Sequence, residues 1–150
     1  MFASRWHMGI SPEALSIRRA VFVEEQGELI AVPDGFDAYA IQLVVEEDGV
    51  TVASARLVPE GGGVRLAFVA VLPQYRGQGV GDLCVRQALY KAQQMNAAYV
   101  YIDVLEQNVP YYRAFGFECT CGPGAGMIPM RVETAQILWH PPCREPEETA

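Results

Sequence analysis

The pattern of apolar and polar positions near the start of the chain is helical. Ser11, Pro12 and Glu13 supply an N-cap, a first-turn proline and a first-turn acid. The apolar residues that follow recur at helical spacing: Ala14, Leu15, Ile17, Ala20, Val21 and Phe22. The pattern predicts a helix from Ser11 to about Glu25, followed by a loop over residues 26–37 that can include a helical turn.

Three segments rich in β-branched and apolar residues come next, over residues 38–47, 50–58 and 64–71. Asp48-Gly49 between the first two is a strong signal for a two-residue hairpin turn. Residues 60–63, Glu-Gly-Gly-Gly, predict a second turn. The middle of the chain is therefore predicted to be an antiparallel meander.

The second half begins with a helical pattern from Gly79 to about Met95. Residues 99–105 are almost continuously apolar, which is typical of a strand buried on both faces and often of a parallel one. A short helix over residues 110–115 follows, with Gly116 placed to end it. Residues 117–121 and 132–139 are further strand candidates.

This order of elements predicts a mixed α/β fold, α+β by some schemes, in which a meander is joined to one strand–helix–strand crossover. We expect a single domain over residues 1–140 and a polar tail over residues 141–150. No repeat, low-complexity tract or linker divides the chain of 150 residues.

Composition narrows the functional classes. With 51% hydrophobic residues the chain is predicted to be globular, and no apolar run approaches the roughly 18 residues of a membrane span. The N-terminus lacks a signal-peptide pattern, so a cytoplasmic location without membrane attachment is expected. A net charge of −7 argues against nucleic acid and is compatible with a cationic partner such as an amine.

The four cysteines do not predict a metal site. Cys84 lies in an apolar helical pattern and is expected to be a core residue. Cys119 and Cys121 form a C-x-C pair without a second pair or a nearby histidine, and Cys143 is isolated in the tail. The usual zinc spacing is absent, so we expect no metal.

The main chemical signal is QYRGQGVG, residues 74–81, called the glycine loop below. It is not a Walker loop, because the only lysine of the chain is Lys91. It is not a Rossmann fingerprint either, since Asp82 stands where the third glycine is needed and a meander strand precedes it. The third pattern, Gln/Arg-x-x-Gly-x-Gly/Ala, fits at every position. Such glycines turn successive N–H groups toward one anion, at the N-terminus of the following helix.

With these motifs the chain resembles the Gcn5-related N-acetyltransferases, the GNAT superfamily. FVAVLPQYRGQGVGDLC is similar to the family's strand, loop and helix for acetyl-CoA, and VPYYRAFGFE to its second signature. IRRAVFVEEQG resembles a small bacterial branch whose first helix ends in VFV-x-EQ. The resemblance spans about residues 17–130 and implies two parallel strands that splay apart around the pantetheine arm.

The resemblance implies a set of contacts for acetyl-CoA. Main-chain groups of the third meander strand would pair with the pantetheine arm, and the glycine loop would hold the pyrophosphate. The implied residues are Val69, Ala70, Val71, Gln74, Arg76, Gly77, Gln78, Gly79, Val80, Gly81, Asn108 and Tyr112. Many relatives carry Asn where this chain has Leu105, and Asn108 is a candidate to replace that contact.

The resemblance also makes Tyr112 the general acid near the CoA sulfur, with Tyr111 as a packing residue. For the acceptor side it indicates Phe22, Glu25, Phe36 and Asp37. Val64–Val71 contains no carboxylate to serve as a base, so Glu25, Asp37, Asp103 and a water chain remain candidates.

The function implied is acetyl-CoA-dependent transfer of an acetyl group to the amine of a small molecule or peptide, by direct attack in a ternary complex. A non-catalytic acyl-CoA-binding or regulatory module with the same fold is the alternative. A homodimer is left open.

Overall fold

The computed structural model describes residues 1–120 and 126–140, and its strands form one seven-stranded sheet in the order β1-β2-β3-β4-β5-β7-β6. The strands are β1 Phe2–Met8, β2 Ile41–Glu47, β3 Val50–Glu60, β4 Gly63–Val71, β5 Tyr99–Val104, β6 Glu118–Cys119 and β7 Ile128–Glu133. All neighbours are antiparallel except β4 and β5, which are parallel. The predicted mixed α/β fold, with a parallel pair beside an antiparallel meander, is confirmed.

Helices flank this sheet close to the predicted positions. They are α1 Pro12–Arg18, which continues as a π-helical segment Arg19–Glu25, then α2 Val80–Gln94 and α3 Val109–Arg113. Ser11 caps α1 as predicted, since its hydroxyl accepts a hydrogen bond from the Ala14 N–H at 3.2 Å. Within the described residues, no helix is long and apolar enough to cross a membrane.

β2 begins at Ile41 instead of residue 38, because Asp37–Tyr39 forms a 3-10 turn, and two other strands differ more from the prediction. β1 was not predicted, because none of its side chains is fully buried and the strand lacks an apolar alternation. β1 is a strand because it pairs with β2 over its whole length. The last long strand was predicted over residues 132–139 but runs from Ile128 to Glu133, where pairing with β5 places it. Pro129 obscured this start, because a proline cannot donate to a ladder.

Apolar layers cover both faces of β4. Val69 and Val71 pack in the main core together with α2. Ala70 points to the other face and packs with Ile17 of α1 and Val21 of the π-helical segment. Successive side chains of a strand point to opposite faces of the sheet, which explains why neighbouring residues of β4 belong to different clusters. β4 is therefore a central strand that is covered on both faces, and a mainly apolar sequence is typical of such a strand.

β4 and β5 are close only at their beginnings. The parallel register joins Val64 to Val100 and Arg65 to Tyr101, and it goes no further. A bulge in β4 accompanies the separation, since the register with β3 shifts by one residue near Phe68, whose φ is 54°. From this point on, the backbone of β4 has no ladder partner in β5, and a gap opens between the two strands.

Gly63 permits the close start of the two strands. A Cβ at this position would overlap the backbone carbonyl of Tyr99, whereas a Cβ on Gly62 would have its nearest neighbour at 4.0 Å. The separation of the strands therefore begins from a point where only glycine fits.

We expect Gly63→Ala to lower the free energy of unfolding by about 1–3 kcal/mol, because the strands must move apart to admit the methyl group. Urea denaturation followed by circular dichroism measures this change. Gly62→Ala is the matched control, and an equal loss in both variants would contradict the close approach at Gly63.

Candidate active site

The glycine loop lies between β4 and α2, as predicted. Gly77 and Gly79 adopt left-handed backbone angles, with φ of 78° and 84°. The first hydrogen bond of α2 runs from the Leu83 N–H to the Gly79 carbonyl at 3.0 Å, so the earlier N–H groups of the first turn have no acceptor within the helix. Together with the positive end of the helix dipole, these groups form a site suited to an anion.

A carboxylate in the first turn of α2 is buried and paired within the protein. Asp82 is 4% exposed and forms an ion pair with Arg86 at 2.6 Å. Its other oxygen accepts a short hydrogen bond from the Tyr111 hydroxyl. Because the Asp82 charge is neutralised within the core, it does not oppose a phosphate at the helix N-terminus.

The Tyr111–Asp82 contact also links α3 to the beginning of α2. Burial, and then the Asp82 carboxylate, raise the pKa of the Tyr111 phenol, which therefore stays a hydrogen-bond donor. Sequence reasoning assigned Tyr111 to packing alone and missed this bond. The available signal was a hydroxyl and a carboxylate, each beside apolar residues of a predicted helix.

Replacing Tyr111 by Phe should lower the free energy of unfolding by about 1.5–3 kcal/mol, because a hydrogen bond to a buried charged group is lost. Urea denaturation provides the measurement. Tyr90→Phe, at a position 54% exposed, should change stability by less than about 0.5 kcal/mol. If the two variants are equally stable, the contact does not hold the two helices together.

Tyr112 is the most unusual polar group of the site. Its side chain is 0% exposed, and its hydroxyl has no hydrogen-bond partner among the described residues. Burial and the neighbouring Cys84 raise the pKa of the Tyr112 phenol, so it remains protonated at neutral pH. A buried hydroxyl without a partner costs free energy, and a catalytic role is one of the reasons for which native proteins retain such groups.

Several predicted donor-side residues belong to the main hydrophobic core. Tyr112, Val69 and Val71 of β4, and Val80 at the start of α2 are all part of this core, and Tyr112 neighbours Cys84 of α2. Asn108, 1% exposed, immediately precedes α3. The orphaned hydroxyl, the unpaired side of β4 and the glycine loop form a setting that suits an acyl-CoA molecule.

Arg76 links the glycine loop to α1. Its guanidinium forms a two-pronged ion pair with Glu25, with both N–O distances at 2.8 Å, and its Nε donates to the Val71 carbonyl at 2.9 Å. The hydrogen bonds from Arg76 lower the pKa of the Glu25 carboxyl. Glu25, predicted on the acceptor side, thus contacts a residue predicted on the donor side.

A cleft of about 260 Å³ lies where β4 and β5 diverge. We call it the β4–β5 cleft. Its walls come from the end of α1 and the loop after it, from β4 up to the bulge, and from β5. Phe22 and Phe68 meet in it edge to face, with ring centroids 5.3 Å apart. Of the predicted acceptor-side residues, Phe22 lines this cleft, and Glu25, Phe36 and Asp37 are not part of its described lining.

Asp37 instead lies in a buried ion-pair network. One oxygen accepts hydrogen bonds from Arg18 at 2.8 Å and from the Asp34 N–H at 2.8 Å. The other accepts from Gln42 at 2.9 Å and from Arg56 at 3.4 Å. Burial opposes ionisation, but these hydrogen bonds and Arg18 lower the pKa of the Asp37 carboxyl. With both oxygens occupied, Asp37 has a structural contact set and little capacity to accept a substrate proton.

This network supports the bulge in β4. The guanidinium groups of Arg18 and Arg56 lie 4.5 Å and 4.8 Å from the centroid of the Phe68 ring. Arg56 also lies 5.7 Å from the ring of Phe36. The loop before β2 and Phe68 therefore both contact the guanidinium groups of this network. Because Phe68 lines the β4–β5 cleft, these contacts stabilise one wall of the cleft.

Asp37→Asn should lower the free energy of unfolding by about 3–5 kcal/mol, because it leaves Arg18 buried without its counter-charge. The wild-type pKa of Asp37 is lowered in the folded state, so its contribution is present above the unfolded pKa of about 3.9 and is lost as the pH falls. Urea denaturation between pH 3 and 7 should show a smaller acid dependence in the variant. Asp48→Asn, in the β2–β3 hairpin turn, is the control and should behave like the wild type.

The splayed parallel strands, the β-bulge, the glycine loop at a helix N-terminus and the buried tyrosine define an acyl-CoA N-acyltransferase type of domain. The sequence model of the acetyltransferase (GNAT) family matches residues 11–117, and the chain belongs to this family. The resemblance inferred from the motifs is therefore confirmed. A search of curated proteins found no match.

Solved structures show the same fold. An acyl-CoA N-acyltransferase from Pseudomonas aeruginosa aligns with a TM-score of 0.81 and 24% identity, over 87% of this chain and 99% of its own. Escherichia coli ElaA aligns with a TM-score of 0.77 and 24% identity, over 89% and 100%. A GNAT family acetyltransferase from Elizabethkingia anophelis, solved with acetyl-CoA bound, aligns with a TM-score of 0.70 and 14% identity, over 88% and 97%.

The remaining predictions concern the cysteines, the C-terminal tail and metal binding. Cys84 is buried in α2, as predicted for a core residue, and Cys119 is exposed in β6. Cys121, Cys143 and the predicted tail over residues 141–150 lie outside the described residues. Among the residues that are described, no cluster of three or more metal-ligating side chains occurs.

Proposed function

We propose that this protein is an acetyl-CoA-dependent N-acetyltransferase that transfers an acetyl group to the amine of a small molecule or peptide by direct attack in a ternary complex. The observation that carries the proposal is the buried Tyr112 hydroxyl, which lacks a partner in a cluster shared with β4 and the start of α2. Membership of the GNAT family supports acetyl-CoA as the donor.

The donor side uses mostly backbone groups. The amides of residues 76–81 would hold the pyrophosphate, with Gln74 at the start of the glycine loop and the guanidinium of Arg76 at its rim. Main-chain groups of Val69, Ala70 and Val71 would pair with the pantetheine arm, because β5 leaves this side of β4 open. Asn108 would provide the side-chain contact to the cofactor that Leu105, which has no polar group, cannot make. Acetyl-CoA supplies an activated acetyl thioester whose leaving group is a thiol.

Tyr112 would donate a hydrogen bond to the sulfur of the leaving group. Its pKa is raised above the usual 10, whereas a thiol has a pKa near 8.5, so complete proton transfer from the phenol would be uphill. A hydrogen bond that strengthens as negative charge develops on sulfur lowers the barrier without that transfer. In this proposal Tyr112 acts as an acid chiefly through the stabilisation of the thiolate.

Asp103 is the candidate base whose carboxylate is most accessible to a substrate. Its side chain is 49% exposed and lines the β4–β5 cleft. One oxygen accepts a hydrogen bond from Arg65 at 3.1 Å, and the other has no partner among the described residues. Glu25 is paired with Arg76, and both oxygens of Asp37 are occupied. We therefore propose that Asp103, directly or through a water chain, receives the proton of the acceptor amine.

Tyr112→Phe should reduce kcat for acetyl transfer by about 100-fold or more, since general acid–base groups contribute on this scale. The assay follows CoA thiol release with DTNB across a panel of amines and peptides. Stability should not fall, because the hydroxyl removed has no partner in the chain.

Binding of acetyl-CoA, measured by isothermal titration calorimetry, should be largely retained in the same variant and serves as the control for a folded donor site. An unchanged kcat would remove Tyr112 from the mechanism. Tight acetyl-CoA binding without CoA release for any amine, in the wild-type protein, would favour the non-catalytic binding module.

A further inference from the structure

The β4–β5 cleft has an unusual balance of charge. Its ionisable lining consists of Glu28 from the loop after α1, Arg65 from β4 and Asp103 from β5. Arg65 is the only cation among the described lining residues. The capacity of the cleft to bind an anion therefore depends on whether carboxylates already neutralise this guanidinium.

Carboxylates already engage every nitrogen of Arg65. Its Nε donates to Glu60 Oε1 at 2.8 Å and its Nη2 donates to Glu60 Oε2 at 2.9 Å. Its Nη1 donates to Asp103 Oδ2 at 3.1 Å. The pairing with Glu60 is the parallel, two-pronged arrangement that is strongest between guanidinium and carboxylate. Two carboxylates thus neutralise Arg65 before any substrate binds, and three of its five N–H groups are already donated to them.

The charge that remains is negative. Glu60, Arg65 and Asp103 together carry one positive and two negative charges, and Glu28 adds a further negative charge without an ion-pair partner among the described residues. The hydrogen bonds from Arg65 lower the pKa of the Glu60 carboxyl, so the partner of Arg65 stays ionised at neutral pH. The cleft therefore attracts a cation and repels an anion.

The rest of the lining is mainly apolar. Phe22 and Ile30 contribute from the α1 side, Phe68 from the bulge and Leu105 from beyond β5. The two aromatic rings face each other edge to face across 5.3 Å. A molecule that combines an ammonium group with a hydrophobic or aromatic group matches both parts of this lining.

We propose that the acceptor is a primary amine attached to an apolar group and without a carboxylate beside the amine, and that free α-amino acids are excluded. The inference rests on the proposed acetyltransferase function and narrows its substrate class. An α-carboxylate would enter a cleft of the same sign, where Glu60 and Asp103 already neutralise the one guanidinium of the described lining. Specificity would then come from repulsion of the wrong substrate as well as attraction of the right one.

A matched series of acceptors tests this inference. Phenethylamine, phenylalaninamide and phenylalanine share one aromatic group and differ in the group beside the amine: hydrogen, neutral amide or carboxylate. In the DTNB assay, kcat/KM for phenethylamine and for phenylalaninamide should each exceed that for phenylalanine by at least about tenfold, which corresponds to about 1.4 kcal/mol. The amide controls for size, because it nearly matches the carboxylate in volume.

Equal or higher activity with phenylalanine than with its amide would overturn this inference and leave the acetyltransferase proposal intact. If no amine or peptide in the wider panel releases CoA, the proposed function fails and the inference fails with it.

Glu60→Gln tests the structural cause separately. It removes the negative charge that occupies two nitrogens of Arg65, so a substrate carboxylate gains a cation and the preference for phenylalaninamide over phenylalanine should shrink at least threefold. Glu133→Gln, an exposed β7 variant without an ion-pair partner among the described residues, is the matched control and should keep the wild-type preference. An unchanged preference in Glu60→Gln would show that Arg65 does not set it.

Discussion

The separation of β4 from β5 is the constraint on which the rest of the structure depends. Two parallel strands share a ladder at only two residue pairs and then diverge, although both lie in the middle of one continuous sheet. Gly63 makes the close start sterically feasible, and the bulge at Phe68 turns β4 away. The resulting gap leaves backbone groups in the centre of the sheet available to a ligand, which an uninterrupted sheet would not.

The bulge needs support from outside the sheet, and buried charge provides it. Arg18 and Arg56 lie against the Phe68 ring, and Asp37 holds both cations with its two oxygens. Such a network stabilises little by itself, because desolvation offsets most of its Coulomb energy. Its value here is geometric: α1, the loop before β2, and β3 all converge on one side chain next to the site.

The two sides of the gap have different chemistry. The donor side presents main-chain groups, a helix N-terminus and the Tyr112 hydroxyl in an apolar cluster. The other side, the β4–β5 cleft, presents carboxylates and aromatic rings around an arginine that is already neutralised. Arg76 and Glu25 connect the glycine loop to the end of α1, next to the loop that lines the cleft. In the proposed function, the glycine loop would hold an anionic donor and the β4–β5 cleft would receive a cationic acceptor.

The sequence by itself determined the features that depend on local chemistry. The N-cap at Ser11, the Asp48-Gly49 turn, the long helix after the glycine loop and the position of that loop all follow from residue types at fixed spacing. Only the tertiary structure decided what depends on partners distant in the chain. β1 exists because β2 pairs with it, and Asp37 is a core ion-pair residue because Arg18 and Arg56 reach it. The Tyr111–Asp82 bond and the neutralisation of Arg65 by Glu60 and Asp103 have the same origin. The sequence does not show whether a carboxylate or a hydroxyl has a hydrogen-bond partner. Its role is set by the groups that folding brings within hydrogen-bond distance.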